Sequence, residues 1–261
     1  MPLASGLYYE LHGPAGAPVV IMSPGLGGSG NYWKPNLDVL TRDHQVVLYD
    51  HRGTGRSDRT LSEPVTVEAW VDDLLILIDA IGAAKASVIG HAAGGVAGLA
   101  LALKAPERLD KLIVVNGWSK LDPHFARCFA ARLHLLRDSG VEAYVAAQPI
   151  FLYPAAWISR HSLAIDAEAA AHVAHFPAIA TVESRIAALR AFDIDAQLGA
   201  ITVPTLALAA GDDMLVPAFC SEHLAAHIPG ATLAMMAWGG HACNVTDPAG
   251  FAAPVIKFLR S

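Results

Sequence analysis

The sequence has little of what marks several large protein classes. Cysteine occurs three times in 261 residues, at Cys128, Cys220 and Cys243, widely spaced and with no CxxC pair. That excludes a disulfide framework and leads us to expect reduced thiols in a cytoplasmic protein. Charged residues make up only 16% of the chain, the formal net charge is −6, and no cluster of Lys and Arg stands out. Neither nucleic acid nor an anionic membrane is therefore an expected partner. No apolar run reaches the roughly 20 residues of a membrane span, because the most apolar stretch, Ser87–Leu103, is broken by His91 and by glycines. The first ten residues, MPLASGLYYE, hold no basic segment followed by an apolar run, so no secretion signal is expected. His172 and His175 stand at helical i, i+3 spacing, but no carboxylate completes a ligand set. We expect no metal and no cofactor.

Apolar residues are abundant, at 54% of the chain, enough for a large buried core. Short apolar runs alternate with helical patterns, which predicts an α/β protein with a mostly parallel, twisted sheet covered by helices on both faces. Strands are expected near Leu7–His12, Val19–Ser23, Val46–Tyr49, Ser87–Ile89, Leu112–Val115, Thr205–Ala209 and Thr232–Met236. Helices are expected over Val67–Ile81, with Val71, Leu74, Leu75 and Ile78 on one face, and over Val96–Leu103, Phe219–His227 and Phe251–Leu259. From Leu121 to Phe192 there is no convincing strand, only helical patterns punctuated by Pro149, Pro154 and Pro177. Residues 1–261 thus read as a single domain, with a core over about 1–120 and 193–261 and a helical lid over about 121–192.

One more absence concerns chemistry. In "SVIGHAAGGVAG" (Ser87–Gly98) an apolar strand runs through Gly90-His91-Ala92-Ala93-Gly94 into a helix rich in small residues. A G-x-S-x-G turn of this kind holds a nucleophile above a sheet. Here the apex is Ala92, a methyl group. Taken alone, the pattern is equally a tight strand-to-helix turn. Two further segments change its meaning. "SPGLGGSGNYW" (Ser23–Trp33) is a glycine-rich loop after an apolar strand, suited to offering backbone N–H groups to a developing anion. "GDDMLVP" (Gly211–Pro217) and "GGHACNVTDP" (Gly239–Pro248) each follow a strand, so elbow, acid and histidine come in the order of a hydrolase triad. His241 is the candidate base. Asp213, four residues before Pro217, is the candidate acid, and Asp212 reads as a loop-stabilising Asx turn.

Together these segments resemble the α/β-hydrolase family over nearly the whole chain, with "YDHRGTGRS" (Tyr49–Ser57) as a further hallmark. More narrowly, "GLGGSGNYW", "GHAAGG", "VNGW", "RCF", "AQPIFLYPAAWIS", "DDMLVPAFCS" and "GGHACNVTDP" are similar to the carbamate or aminoacrylate hydrolases of the Rut pyrimidine-utilisation pathway. The resemblance implies that Ala92 is native. Acyl-enzyme chemistry is then excluded at that position, leaving a water that His241, oriented by Asp213, could deprotonate. The N–H groups of Leu26 and Ala93 occupy the positions that form the oxyanion hole in this fold. For substrate binding the resemblance points to Gly25, Asn116, Trp118, Gln148 and Tyr153, and also to Phe151 and Trp157, which read better as packing. His91 faces the pocket or tucks under the lid, and Asn244 binds a small carboxylate or caps a loop. Cys243 and Cys128 read as small buried hydrophobes rather than substitute nucleophiles.

The expected function is hydrolysis of a small molecule, carbamate or aminoacrylate, with ammonia release and with a homodimer as a possible assembly. Two other readings remain open. One is a non-catalytic binding member of the fold. The other is a cofactor-free oxygenase or lyase using the His–Asp pair.

Overall fold

In the third strand Val20 and Met22 turn to one side and Ile21 to the other, and all three are fully buried. Residues that alternate in direction yet are all buried require cover on both faces of the sheet. The computed structural model describes residues 3–61 and 63–261, and it supplies that cover. The strands are β1 (Leu3–Ala4), β2 (Leu7–His12), β3 (Val19–Ser23), β4 (Gln45–Tyr49), β5 (Ala86–His91), β6 (Leu109–Val115), β7 (Thr205–Ala210) and β8 (Thr232–Met236). They form one eight-stranded sheet in the order β1-β2-β4-β3-β5-β6-β7-β8. β1 and β2 pair antiparallel, as do β2 and β4, whereas β3 to β8 run parallel.

The helices are α1 (Leu37–Leu40), α2 (Val67–Ala80), α3 (Ala93–Lys104), α4 (Pro123–His134), α5 (Gly140–Leu152), α6 (Ala155–Ala174), α7 (Ile179–Ala191), α8 (Phe219–His227), α9 (Cys243–Thr246) and α10 (Pro248–Leu259). One face of the sheet, carrying Ile21, Val47, Val88 and Val114, packs on α2, α3 and part of the helical insertion. The other, carrying Val20, Met22, Ile89, Val115 and Leu208, packs on Trp33, Leu40 and the apolar side of α10. Among the described residues, no helix is long and apolar enough to cross a membrane.

Most expected elements appear, with shifted ends that have local causes. α3 begins at Ala93, three residues before its expected start. Gly94 and Gly95 look like helix breakers in sequence, but here they relieve crowding between α3 and the sheet. α10 begins at Pro248 rather than Phe251: proline at the first helical position needs no N–H partner, and the Asp247 carboxylate accepts from Gly250 N at 3.0 Å. The two-residue strand β1 was not expected, being too short to show a period.

Four helices, α4 to α7, stand between β6 and β7. The two chain segments that enter and leave this insertion are tied together. Lys120 and Asp193 form an isolated antiparallel bridge, and Ile194 N donates to Ser119 O at 3.0 Å. Asp195 accepts from the Ser119 hydroxyl at 2.7 Å, from Lys120 Nζ at 2.6 Å and from His223 Nε2 at 2.7 Å. The Lys120 ammonium, assisted by Ser119 and His223, holds the Asp195 carboxyl well below the usual carboxylate range. A carboxyl whose pKa falls on folding contributes stability above its unfolded value, and that contribution is lost as pH falls through the folded value. Asp195→Asn is therefore expected to lower the free energy of unfolding by about 1 kcal/mol at pH 7. The gap from the wild type should be smaller in urea titrations run below about pH 4, and an equal gap at both pH values would contradict this account.

Candidate active site

The turn after β5 is set by how closely backbone meets backbone. A Cβ on Gly90 would lie 2.3 Å from the Gly94 carbonyl carbon, and one on Gly94 would lie 2.3 Å from Ser23 O. Only glycine permits that approach. It forces the chain at Ala92 to φ 47°, ψ −106°, a conformation costing a non-glycine residue about 1–3 kcal/mol. Ala92 N donates to Val115 O at 2.9 Å, which fastens the apex to the end of β6. Ala92 is 6% exposed. The strained elbow is built, and a methyl group stands on it.

The acid and the histidine meet beside the carboxyl ends of these strands. Asp213 Oδ2 accepts from His241 Nδ1 at 2.7 Å, and both side chains are buried. Asp213 Oδ1 accepts from Leu215 N at 2.7 Å and from Val216 N at 3.0 Å, so the carboxylate is held from both oxygens. With Nδ1 committed as the donor to Asp213, the lone pair lies on Nε2, which has no partner among the described residues. Asp212 acts elsewhere: its Oδ1 accepts from Gly240 N at 2.8 Å and so closes the histidine loop onto the acid loop.

The oxyanion-hole positions expected at Leu26 and Ala93 lie on the loop after β3 and at the first residue of α3. Neither N–H has a hydrogen-bond partner among the described residues. The Leu26 carbonyl is held from outside the sheet. Arg185 of α7 donates from Nη1 to Leu26 O at 3.1 Å, and from Nη2 to Arg52 O at 2.8 Å and to Thr54 Oγ1 at 2.7 Å. Burial brings the Arg185 guanidinium down to about 10. Nothing in the sequence around Arg185 marked this residue.

Several residues expected to touch substrate have their polar atoms spent on the protein. His91 is buried, donates from Nε2 to His241 O at 2.8 Å and lies between the rings of Tyr32 (4.8 Å) and His241 (4.5 Å). It supports the His241 loop, and desolvation first, then His241, holds its pKa well below the usual histidine value. Gly25 makes room for it, since a Cβ there would lie 2.7 Å from His91 Nδ1. Asn116 donates from Nδ2 to His241 O at 2.8 Å and accepts at Oδ1 from Ala210 N at 3.1 Å. Asn244, fully buried, accepts from the Tyr32 hydroxyl at 2.6 Å and donates to Asn36 Oδ1 at 3.1 Å. Of its two expected roles, only loop support fits this placement. Gln148 is likewise engaged, accepting from Arg132 Nη2 at 2.6 Å and donating to Tyr144 O at 3.1 Å.

Trp118 and Tyr153 keep a polar atom unspent. Trp118 packs on Phe125 at 4.8 Å, and its buried Nε1 has no partner. The Tyr153 hydroxyl has none among the described residues, and burial raises its pKa. Phe151 is buried and Trp157 stacks on His161, in keeping with packing roles. The thiols are unactivated: burial pushes Cys243 and Cys220 up to about 12 and raises Cys128. Gly94→Ala is expected to destabilise the fold by roughly 3 kcal/mol, because the added methyl meets backbone that cannot yield. Thermal unfolding checks this, and a change within experimental error would show that β3 and α3 can part without cost.

The comparisons with known proteins agree with this fold. A sequence profile of the alpha/beta hydrolase fold matches residues 18–248. A Caulobacter vibrioides protein named "Putative carbamate hydrolase RutD" is 57% identical over 257 residues, covering 98% of this chain and 96% of its own. A Variovorax paradoxus protein of the same name is 49% identical over 97% of this chain and 96% of its own. Among solved structures, the enol-lactonase from Burkholderia xenovorans LB400 aligns with a TM-score of 0.88 at 25% identity, over 98% of this chain and 96% of its own. A hydrolase from Pseudomonas aeruginosa PA01 aligns with a TM-score of 0.85 at 30% identity, over 98% and 94%. The chain is thus a member of the α/β-hydrolase family and, by near-full-length identity, of its RutD group.

Proposed function

We propose that this protein hydrolyses carbamate or aminoacrylate with release of ammonia, using water activated by His241 in place of a serine nucleophile. The observation that carries the proposal is the assembled His241–Asp213 pair, at 2.7 Å, beside an elbow whose apex is Ala92. A base oriented in this way, with no hydroxyl to act on, is suited to taking a proton from water. The shared name of the near-full-length relatives supports the substrate class.

For carbamate, water adds to the carbon while His241 Nε2 takes its proton. The C–N bond then breaks, the proton passes to nitrogen, and bicarbonate and ammonia leave. For aminoacrylate, the same base delivers water to the carbon of the imine tautomer, and the adduct loses ammonia to leave an aldehyde. In both cases the Leu26 and Ala93 N–H groups face the negative charge that develops on the atom doubly bonded to the attacked carbon. The helices α4 to α7 act as a lid over this site and keep it small and dry. Both substrates break down readily unaided, so the modest gain expected of a general base, about 10²–10⁴-fold, is sufficient.

His241→Ala should bring ammonia release from freshly generated carbamate or aminoacrylate down to the buffer rate, with near-UV circular dichroism unchanged. Asp213→Asn should show an intermediate loss. Equal rates for wild type and both variants would sink the catalytic reading and favour a binding role. Ala92→Ser should create activity toward a small neutral ester, because base and hole are already in place. No ester hydrolysis by a folded Ala92→Ser protein would show that the hole is not assembled.

A further inference from the structure

The two edges of the sheet are not alike. At one end β1 has only two residues, and the carbonyls that follow it are taken: Ser5 O accepts from Arg52 Nη1 at 2.5 Å and Gly6 O from Asp58 N at 2.9 Å. A short edge with its backbone groups engaged is protected against a foreign strand. At the other end β8 has five residues and pairs only with β7 among the described residues. The register is parallel and unbroken, from Leu206 against Thr232 to Ala210 against Met236. None of the residues Thr232-Leu233-Ala234-Met235-Met236 is charged or a proline. Shortness, charge, proline and bulge, the devices that blunt an edge strand, are all missing here.

The open backbone groups can be named. Met236 O accepts from Gly211 N at 2.8 Å, so Met236 directs its backbone groups to β7, and the two-residue period does the same for Ala234 and Thr232. Leu233 and Met235 therefore turn their N–H and C=O groups outward. The side chains sort in the same way. Ala234 and Met236 pack into the layer under α10. Leu233 and Met235 lie on the opposite face and are 44% and 42% exposed. Just beyond the strand, Trp238 is 46% exposed and lines a groove of about 460 Å³ with Ala234, Met236, Asp247 and Pro254. Unpaired backbone groups flanked by exposed apolar side chains are a template for another strand.

We propose that the β8 edge joins a second copy of this chain, antiparallel about a two-fold axis at Ala234, so that one sheet runs through both. In this register Leu233 exchanges both backbone hydrogen bonds with Met235 of the second copy, and Met235 does so with its Leu233. Their side chains meet directly across the join, apolar against apolar. The occupant is a second copy because the edge is its own complement: a two-fold axis needs the same patch on both sides. The chain carries a net charge of −6, which repels copies at a distance, yet β8 is uncharged and the strands meet without opposed like charges. The strand alone is smaller than the roughly 800 Å² per partner of a stable interface. The same register adds contact at both ends, where each Trp238 comes opposite the Pro229–Gly230 turn of the other copy. A Cβ on Gly230 would meet nothing within 4 Å, so that turn leaves room for an indole.

Sedimentation equilibrium and cysteine cross-linking test this. The wild type is expected at twice the mass of one chain at about 100 µM, above the micromolar dissociation constant of a modest interface. Met235→Lys, at a side chain already partly exposed, should fold and raise the dissociation constant at least about tenfold. Ala234→Cys should form a disulfide-linked dimer under mild oxidation, because the two Cα atoms at the axis lie about 4.5 Å apart in a non-hydrogen-bonded pair, within reach of a disulfide. Leu163→Cys, on the exposed side of α6, should not. A wild type that stays monomeric leaves the edge to a partner of another kind and overturns the proposal. So does a folded Met235→Lys protein that dimerises at wild-type strength, or equal cross-linking at positions 163 and 234. Should Met235→Lys fail to fold, Leu233→Lys on the same edge and the cross-linking still decide.

Discussion

Everything at the carboxyl end of this sheet depends on the approach of α3 to the ends of β3 and β5. Gly94 presses against the Ser23 carbonyl and Gly90 against Gly94, at separations that leave no room for a side chain. That contact sets the positive φ of Ala92 and holds the start of α3 against the end of β3. The strain at Ala92 is offset by a strand buried along its whole length and by its fit against Val115. The cost of the elbow is thus met whether or not a nucleophile stands on it. A serine can be absent from such a turn without the turn relaxing.

The second half of the site is held by a carbonyl. His241 O accepts from both Asn116 and His91, while Asp212 and Leu152 hold the residues on either side of His241. Four separate parts of the fold therefore fix one short loop, and the imidazole inherits that rigidity. The helical insertion takes part twice, through Leu152 on the histidine loop and through Arg185 on the Leu26 loop. It helps to set the position of both the His241 loop and the Leu26 loop. A cluster of buried polar groups around Arg185, with several partners, ties the insertion to the core.

Much of this was legible in the chain itself. Alternating apolar runs and the period of α2 gave the layered sheet, because burial on two faces leaves a pattern in sequence. The order of elbow, acid and histidine gave the pair Asp213–His241, and Pro217 separated Asp213 from Asp212. The absence of a hydroxyl at Ala92 was read directly and needs no coordinates. A side chain's type and its spacing from a turn are local facts, and the triad order is built from such facts.

The partners of the polar residues were not legible. Asn116, Asn244 and His91 stand beside the site in sequence and look equally fit to hold a ligand or a loop. Their hydrogen bonds run to residues as far as 150 or more positions away, and only the closed fold brings those atoms within reach. Arg132 and Arg185 gave no signal for the opposite reason: an arginine on an amphipathic helix reads as surface, and nothing local says that it points inward without a carboxylate to meet it. The sequence by itself determined the architecture, the pairing of Asp213 with His241 and the alanine at the elbow apex, because each follows from residue type and local spacing. Only the tertiary structure decided which polar groups are spent on the scaffold and which remain free for a substrate, because hydrogen-bond partnership depends on long-range contact.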